Sequence, residues 1–489
     1  FPVIINAQNL NDVLNLSENK INGTARFESM GGAFGALGGD LSAINVNPAG
    51  SAVFNDNEYG FTLSAEKKTN KTLFFNNSES EDDNKFSFNQ GGAVWLLKNS
   101  GDGNINKISF GFNAQTNNSY KNNFLIKGRN TQNSIDTFFL NNSSGLRESD
   151  LSVGNNESVS SVYKYLGQNY GFSAQQAFLA YQSYLINYDK DSNSFFSIAN
   201  YENGVDQRYI YETKGVNTKY NMNLAIQFKE DFYFGININT HDVHIKNWIS
   251  HNETNFSDNS AIKEISFENN LTTQGEGISV QLGGIAKFNS LRLGLSYQSP
   301  TWYTLYDETY QSLSVKSVDV DGVSYEDVVN PMVINAYPDY KINTPSSITT
   351  SAAFVIGKFG ILSMDLISRD YTKSKIRPNR DFLNANSEIS TKLTNTLDIR
   401  VGTEIRLNEF SFRGGYTKIQ SPYKNLEMLG NSNSYSFGFG YDFGSSILSF
   451  SHKILKSEKR HQLFDSGLTD LAKISTNHSV SNLSLIFKF

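Results

Sequence analysis

The chain has 489 residues, 38% of them hydrophobic and 13% aromatic, with no cysteine and a formal net charge of -6. Without cysteine there is neither a disulfide framework nor a thiolate metal site, and scattered basic residues in an acidic chain leave no electrostatic footprint for nucleic acid. The longest apolar runs, such as Ala93 to Leu97, fall far short of the roughly 18 residues of a membrane-spanning helix, which excludes a helical membrane protein and leaves a β-barrel open.

Phe1-Pro2-Val3-Ile4-Ile5-Asn6-Ala7 before Gln8 reads as the tail of a secretory signal, apolar and ending in a small residue. Cleavage after Ala7 and export follow from that reading; a short apolar strand is the alternative. The next segment, 8–57, is of a different kind. Met30-Gly31-Gly32-Ala33-Phe34-Gly35-Ala36-Leu37-Gly38-Gly39-Asp40 is dense in glycine, which permits tight turns and close backbone approach. In Asn45-Val46-Asn47-Pro48-Ala49-Gly50 the proline disfavours helix at Asn47. Ala25-Arg26-Phe27, the Met30-to-Asp40 stretch and Asn47-Pro48-Ala49-Gly50 together resemble the start of a FadL/TodX-type outer-membrane transporter. The resemblance covers about residues 25–50. It implies a fourteen-stranded barrel whose N-terminal region forms a hatch, or plug, in the lumen. It also implies passage of long-chain fatty acids or other hydrophobic compounds, with a lateral opening in the wall as the exit.

From residue 58 onward the periodicity is that of half-buried strands, apolar at every second position. Tyr59, Phe61 and Leu63 share a face, then Phe110 and Phe112; Tyr220 to Phe228, Phe232 to Ile238 and Leu291 to Tyr297 alternate likewise. Two segments, near Phe86 to Leu97 and Gly277 to Phe288, carry Gly91-Gly92 and Gly283-Gly284, which predict bulges or bends. Further segments run near 347–357, 360–373, 397–407, 410–416, 435–443, 447–454 and 483–489, giving fourteen. Short turns at 229–231, 289–290, 358–359, 408–409 and 442–445 alternate with long polar stretches at 69–84, 119–215, 251–273, 305–345, 375–391, 418–433 and 457–478. Aromatic-rich alternation at a mean hydropathy of -0.41 fits a wall with one lipid face and one wet face. The expected fold is an all-β, 14-stranded antiparallel transmembrane barrel in the Gram-negative outer membrane. Leu485, Phe487 and Phe489 resemble the C-terminal signal of such barrels, although any last strand can end in Phe.

Within 119–215, Ser173 with Gln176 fits a capping box, and Phe178, Tyr181, Leu185 and Tyr188 recur at helical spacing. This aromatic face would receive a greasy ligand, dock another protein, or pack the loop onto the rim. Chemistry-bearing motifs are sparse. His241 and His244, three apart on a strand, face opposite sides and cannot share an ion. Glu79, Glu81, Asp82 and Asp83 offer oxygen ligands for a divalent cation or simply form a solvated charge run. Asp319, Asp321 and Gly322 faintly echo a calcium loop and more simply make a hairpin turn. The glycine run lacks the context and the Lys-Ser/Thr of a phosphate loop. No metal, cofactor or catalytic residue is expected, and the chain reads as a non-enzyme.

Two functions remain. One is passive uptake of a hydrophobic small molecule, with Phe27, Met30, Phe34 and Leu37 of the hatch as candidate contacts. The other is a non-conducting subunit of a larger outer-membrane machine for secretion or barrel assembly, its long outer loops contacting other envelope proteins. Membrane lipid and, during insertion, the barrel-assembly machinery are expected partners of either.

Overall fold

The computed structural model describes residues 10–18, 20–99 and 103–489; the signal reading at 1–7 lies outside the described residues. Among the described residues, two α-helices precede the wall: α1 (Leu10–Ser17) and α2 (Ala25–Ser29). The wall follows as β1 (Glu58–Phe74), β2 (Asn77–Asn99), β3 (Ile105–Ser119 continued by Asn122–Asn130), β4 (Val205–Phe228), β5 (Phe232–Thr254) and β6 (Ile262–Phe288). β7 is Leu291–Gln298 and Trp302–Val318, interrupted at Pro300, which has no N–H to give the ladder. β8 comprises Ser324–Val329, Asn335–Ala336, Tyr340–Asn343 and Ser347–Ile356, and β9 comprises Gly360–Asp370 and Lys375–Arg377. The circuit ends with β10 (Asn395–Leu407), β11 (Phe410–Ile419), β12 (Ser432–Asp442), β13 (Ser446–Gln462) and β14 (Leu471–Lys488). Neighbours pair antiparallel throughout, and β14 pairs back onto β1 with Phe487 opposite Tyr59, closing 14 strands into a barrel.

Each membrane-level strand forms because its apolar residues recur at the period of the pleat. On β12, Tyr435, Phe437 and Phe439 are exposed on the outer face while Ser434 and Ser436 are buried inside. On β5, Ile236 and Ile238 face out while Asn237 and Asn239 are buried. The outward apolar residues line up from strand to strand as a belt, as a bilayer's apolar zone of about 25 Å requires. At one end the strands join by tight turns, with Lys229, Asn289, Asn408 and Gly357 in left-handed conformations.

At the opposite end the strands continue far into the stretches expected to be loops. β1 and β2 zip together up to Phe74 and Asn77, so 69–84 is mostly ladder. β5 and β6 stay paired up to Thr254 and Glu264. Above the belt both strand faces are polar or covered by protein, so the sequence loses its alternation although the backbone pairing goes on.

The insertion between β3 and β4 carries four helices: α3 (Asp136–Asn142), α4 (Glu148–Leu151), α5 (Val159–Asn169) and α6 (Phe172–Gln182). They fill the long-loop end. Phe138, Phe139, Tyr163 and Phe178 are buried with Phe124 and Ile126 of β3, Tyr209 of β4, Phe267 of β6, Leu313 of β7 and Ile474 of β14. The aromatic stripe of α6 therefore packs, at Phe178, onto the inside of the rim. The expected capping box is not formed: Gly171 (φ 90°) is the N-cap, and Gln176 Nε2 donates to Gln311 Oε1 at 2.7 Å. Leu185 and Tyr188 lie beyond the helix, Tyr188 in a small hairpin of Ile186–Asp189 with Ser194–Ser197. Beneath this dome, Leu10, Val13 and Leu16 of α1 are buried against Tyr303, Leu305, Tyr340 and Ile342 and against Ile389 of α7 (Leu383–Lys392).

The glycine pairs have different causes. Near Gly91-Gly92 the β1–β2 register shifts, with Leu63 opposite Phe88 and Thr62 opposite Gln90, so a bulge is present. At Gly283-Gly284 the ladder is regular on both sides. A Cβ on Gly283 would come within 2.0 Å of Asn47 Oδ1, so this glycine makes room for the N-terminal segment rather than bending the strand.

Candidate functional site

Residues 20–57 lie against the inward side chains of the wall. Gly31, Gly32, Gly38 and Gly39 all adopt φ between 61° and 71°, the left-handed region that favours glycine. Gly50 sits on Gly38, where a Cβ would fall within 3.0 Å of the neighbouring Cα. Asn47 is extended, as the following proline requires, and its Oδ1 accepts from Ala49 N at 3.1 Å, starting a 3-10 turn over Pro48–Val53. Its Nδ2 donates to Gly35 O at 2.7 Å and to Gly284 O of β6 at 3.0 Å, tying two turns of the segment to the wall.

Irregular backbone has carbonyls with no ladder partner, and buried ones must be satisfied. The wall supplies donors from many sides. Asn113 bonds Leu41 O, Asn237 bonds Ile44 O, Asn223 bonds Pro48 O, and Arg292 bonds Leu37 O, all at 2.8–3.1 Å. Gln281 and Ser296 converge on Val46 O, Thr417 reaches Gly31 O, and Ser436 reaches Ser29 O. In return the wall accepts from Gly35 N through Asp365 at 3.0 Å and from Ala25 N through Ser484 at 2.7 Å.

The segment is also held by charge. Glu404 of β10 is fully buried among three guanidinium groups: Arg26 at 2.8 Å, Arg413 at 2.7 Å and Arg406 at 2.6 Å. Lys453 Nζ meets Glu28 at 2.8 Å, and Asn89 donates to the other oxygen of the same carboxylate at 3.1 Å.

Phe27, Met30, Phe34 and Leu37 are buried together with Ile21, Ala36 and Val46. The Phe27 and Phe34 rings lie 5.5 Å apart, and the Arg26 guanidinium stands 5.2 Å over Phe34. A cavity of about 90 Å³ sits between this segment and α1, and none of the four lines it. Its lining is polar, including Glu18, Lys219, His241, Gln298, Tyr303, Arg369 and Arg400. His241 is buried, with Nδ1 3.0 Å from Asn217 Oδ1 and 3.2 Å from the Tyr303 hydroxyl, whereas His244 is exposed on the other face. Sequence reasoning passed over Lys219 and Arg400, which lie on strands far apart in the chain and look like any other inward polar residue.

The ladder of the wall is interrupted between β2 and β3. The β2–β3 ladder runs from Asn99 and Lys107 to Gln90 and Gln115 and stops there, inside the apolar belt. Above it β2 pairs with β1 alone. β3 is bulged between Thr116 and Asn118, a distortion that bends a strand. Its continuation lies behind β1, whose Lys68, Asn70 and Thr72 donate to Lys121 O, Asn123 O and Leu125 O, each at 2.6 Å. Side chains bridge the seam where backbone does not: Lys85 Nζ to Ser119 Oγ at 2.9 Å, and Lys121 Nζ to Asn84 O at 2.5 Å. Phe86 and Phe88 are exposed on its outer lip.

The remaining motifs resolve into local structure. The acidic run is dispersed along β2: Glu79 pairs with Lys127 at 3.2 Å, Asp82 with Lys67 at 2.9 Å, and Asp83 with Lys121. Asp319 Oδ1 accepts from Asp321 N and Val323 N at 2.9 Å in a hairpin turn, with Gly322 at φ 80°. Tyr59 stacks on Phe487 at 5.0 Å and meets Phe489 at 5.6 Å, while Leu485 lies beside them on the same outward face at the barrel's closing seam.

No protein-family model matches the chain, and no curated protein matches it by sequence. Solved structures do match along nearly its whole length. A Pseudomonas aeruginosa FadL homologue is similar at a TM-score of 0.55 and 11% identity, covering 96% of this chain and 99% of that one. The Pseudomonas putida toluene transporter TodX is similar at 0.51 and 13%, covering 97% and 100%. Identity this low speaks to architecture, and by architecture the chain has the barrel fold of the FadL-type transporters.

Proposed function

We propose that the protein is an outer-membrane channel for passive uptake of hydrophobic small molecules of the long-chain fatty acid type, with residues 8–57 as its hatch. The observation that carries this reading is the seam between β2 and β3. There the wall lacks a backbone ladder at the level of the apolar belt, and exposed aromatics flank the gap. A solute leaving there trades water for lipid, a gain of roughly 25 cal/mol per Å² of apolar surface removed from water. Phe27, Met30, Phe34 and Leu37 are the apolar surface that displacement of the hatch would offer. In this reading the chain is exported by its cleaved leader, inserted by the barrel-assembly machinery and held in Gram-negative outer-membrane lipid. The chemistry is transfer, not catalysis.

Uptake of labelled oleate and of toluene by a deletion strain tests the proposal, with the wild-type chain and a Lys85→Ala/Lys121→Ala variant restored separately. The wild type restores uptake and the loosened seam speeds it. Equal uptake with and without the gene ends the transport reading.

A second reading, as a subunit of a larger envelope complex, is favoured by one feature. The dome fills the long-loop end, and the β7–β8 hairpin beside it exposes Val320, Tyr325, Val328 and Met332 to solvent. Gentle extraction and size analysis discriminate: stoichiometric envelope partners support a subunit, a lone monomer supports transport.

A further inference from the structure

The outer face of the wall changes character where the apolar belt ends, and it does so differently from strand to strand. On β11, β12 and β13, Phe412, Phe439 and Phe450 form one cross-strand row, and Tyr416, Tyr435 and Ile454 form a higher one. The next outward row is Lys418, Asn433 and Lys456, with each lysine directly opposite Asn433. Both lysines are exposed, and neither ammonium has a hydrogen bond or ion pair among the described residues. Asn433 Oδ1 accepts from the Tyr416 hydroxyl at 3.0 Å, which leaves Nδ2 as a third donor between them. Three outward cations nearby are already paired: Lys67 with Asp82 at 2.9 Å, Lys473 with Glu458 at 3.0 Å and Arg460 with Glu427 at 3.4 Å. On β5 and β6 the row next above Thr240 and Ile278 is instead Asp242 opposite Glu276, both exposed. The unpaired positive row therefore belongs to β11–β13 and is not a girdle around the whole barrel.

In water an exposed ammonium needs no partner. At the edge of an apolar belt it faces the head-group layer, and interfacial aromatics such as Tyr416 and Tyr435 mark that level. Lysine stems lie along apolar surface while their ammonium groups reach the head groups. Lys418 and Lys456 stand two strand spacings apart, roughly 10 Å, with the amide of Asn433 between. Three donors with no carboxylate among them fit a phosphate group.

We propose that this face binds a phosphorylated lipid of the leaflet at the long-loop end. Its phosphate is held by Lys418, Asn433 and Lys456, and its acyl chains lie over Tyr435, Phe437 and Phe439, which are exposed in line below. The assignment rests on the barrel standing in a membrane and not on whether any solute crosses it.

Native mass spectrometry of the full chain in a neutral detergent tests it, with diphosphoryl lipid A, the same lipid dephosphorylated, or inorganic phosphate added. Diphosphoryl lipid A stays bound at collision energies that strip the dephosphorylated form, and excess inorganic phosphate does not displace it. Lys418→Gln/Lys456→Gln weakens its binding roughly tenfold while keeping the wild type's heat-modifiable migration. Lys418→Arg/Lys456→Arg retains binding, and Asp242→Asn/Glu276→Gln binds like the wild type. The proposal is overturned if the dephosphorylated lipid binds as well, if the paired Gln variant binds like the wild type, or if free phosphate displaces the lipid. A null result in uptake leaves these outcomes untouched.

Discussion

Arg26 and Glu404, 378 positions apart, meet at 2.8 Å in the interior and join the N-terminal segment to the wall by a charge-assisted bond. The carboxylate is fully buried and serves Arg413 and Arg406 as well, so it is the hub of the arrangement.

Glu404→Gln leaves buried guanidinium groups facing one another. Breaking a buried charge network from one side costs about 3–5 kcal/mol. The variant should lose heat-modifiable migration on gels at a clearly lower temperature than the wild type, and protease added to folded protein should cut more readily between residues 20 and 57. Unchanged migration and cutting would show that the hub contributes little.

Gly294→Val tests the fit between wall and segment. A Cβ at Gly294 would stand 2.2 Å from Gly35 O, backbone that cannot swing aside. Single-channel recordings in planar bilayers should show larger or more frequent openings for Gly294→Val. Gly360→Ala, whose Cβ meets nothing nearer than 3.4 Å, should record like the wild type.

Phe178→Ala removes a large buried side chain from the dome, at a cost of about 3–5 kcal/mol. Because the dome core lies above the apolar belt, the loss should be local. Hydrogen exchange is expected to accelerate in α5 and α6 while the membrane-level ladders keep their protection. Uniform acceleration across the barrel would mean that dome and wall unfold as one unit.

His461, on β13 above the belt, is held neutral: burial depresses it from 6.5 to about 3, with nearby Lys459 adding to the effect. The unfolded chain takes up the proton first, so dome stability falls as pH drops from about 6.5 towards 3. Protection of the Phe124 and Tyr209 amides, measured relative to their intrinsic exchange rates at each pH, should fall across that window, and His461→Phe should flatten the dependence.

How much of this was legible in the sequence follows from what each residue faces. Strands such as Tyr435 to Phe443 were readable because lipid on one side and polar groups on the other impose a two-residue period. The upper ladders were not, because Lys67 and Asn84 pair where both faces are polar. The start of α6 was misplaced because Gly171, free to take positive φ, outcompeted the hydroxyl of Ser173 as the cap. The left-handed glycines and Asn47 of the segment announced themselves as a motif. Glu404 and Lys453 did not, since an inward charge looks like any other polar wall residue until the fold brings Arg26 and Glu28 to it.

The wall glycines carry a consequence for divergence. Gly235 faces the Pro48 carbonyl, Gly402 faces Met30, and Gly415 faces the Gly31 nitrogen, each with space for hydrogen and nothing larger. Such sites cannot drift singly. A chimera grafting another barrel's leader onto these strands would collide at several heights at once, so inheritance must treat the two parts as a matched lock and key.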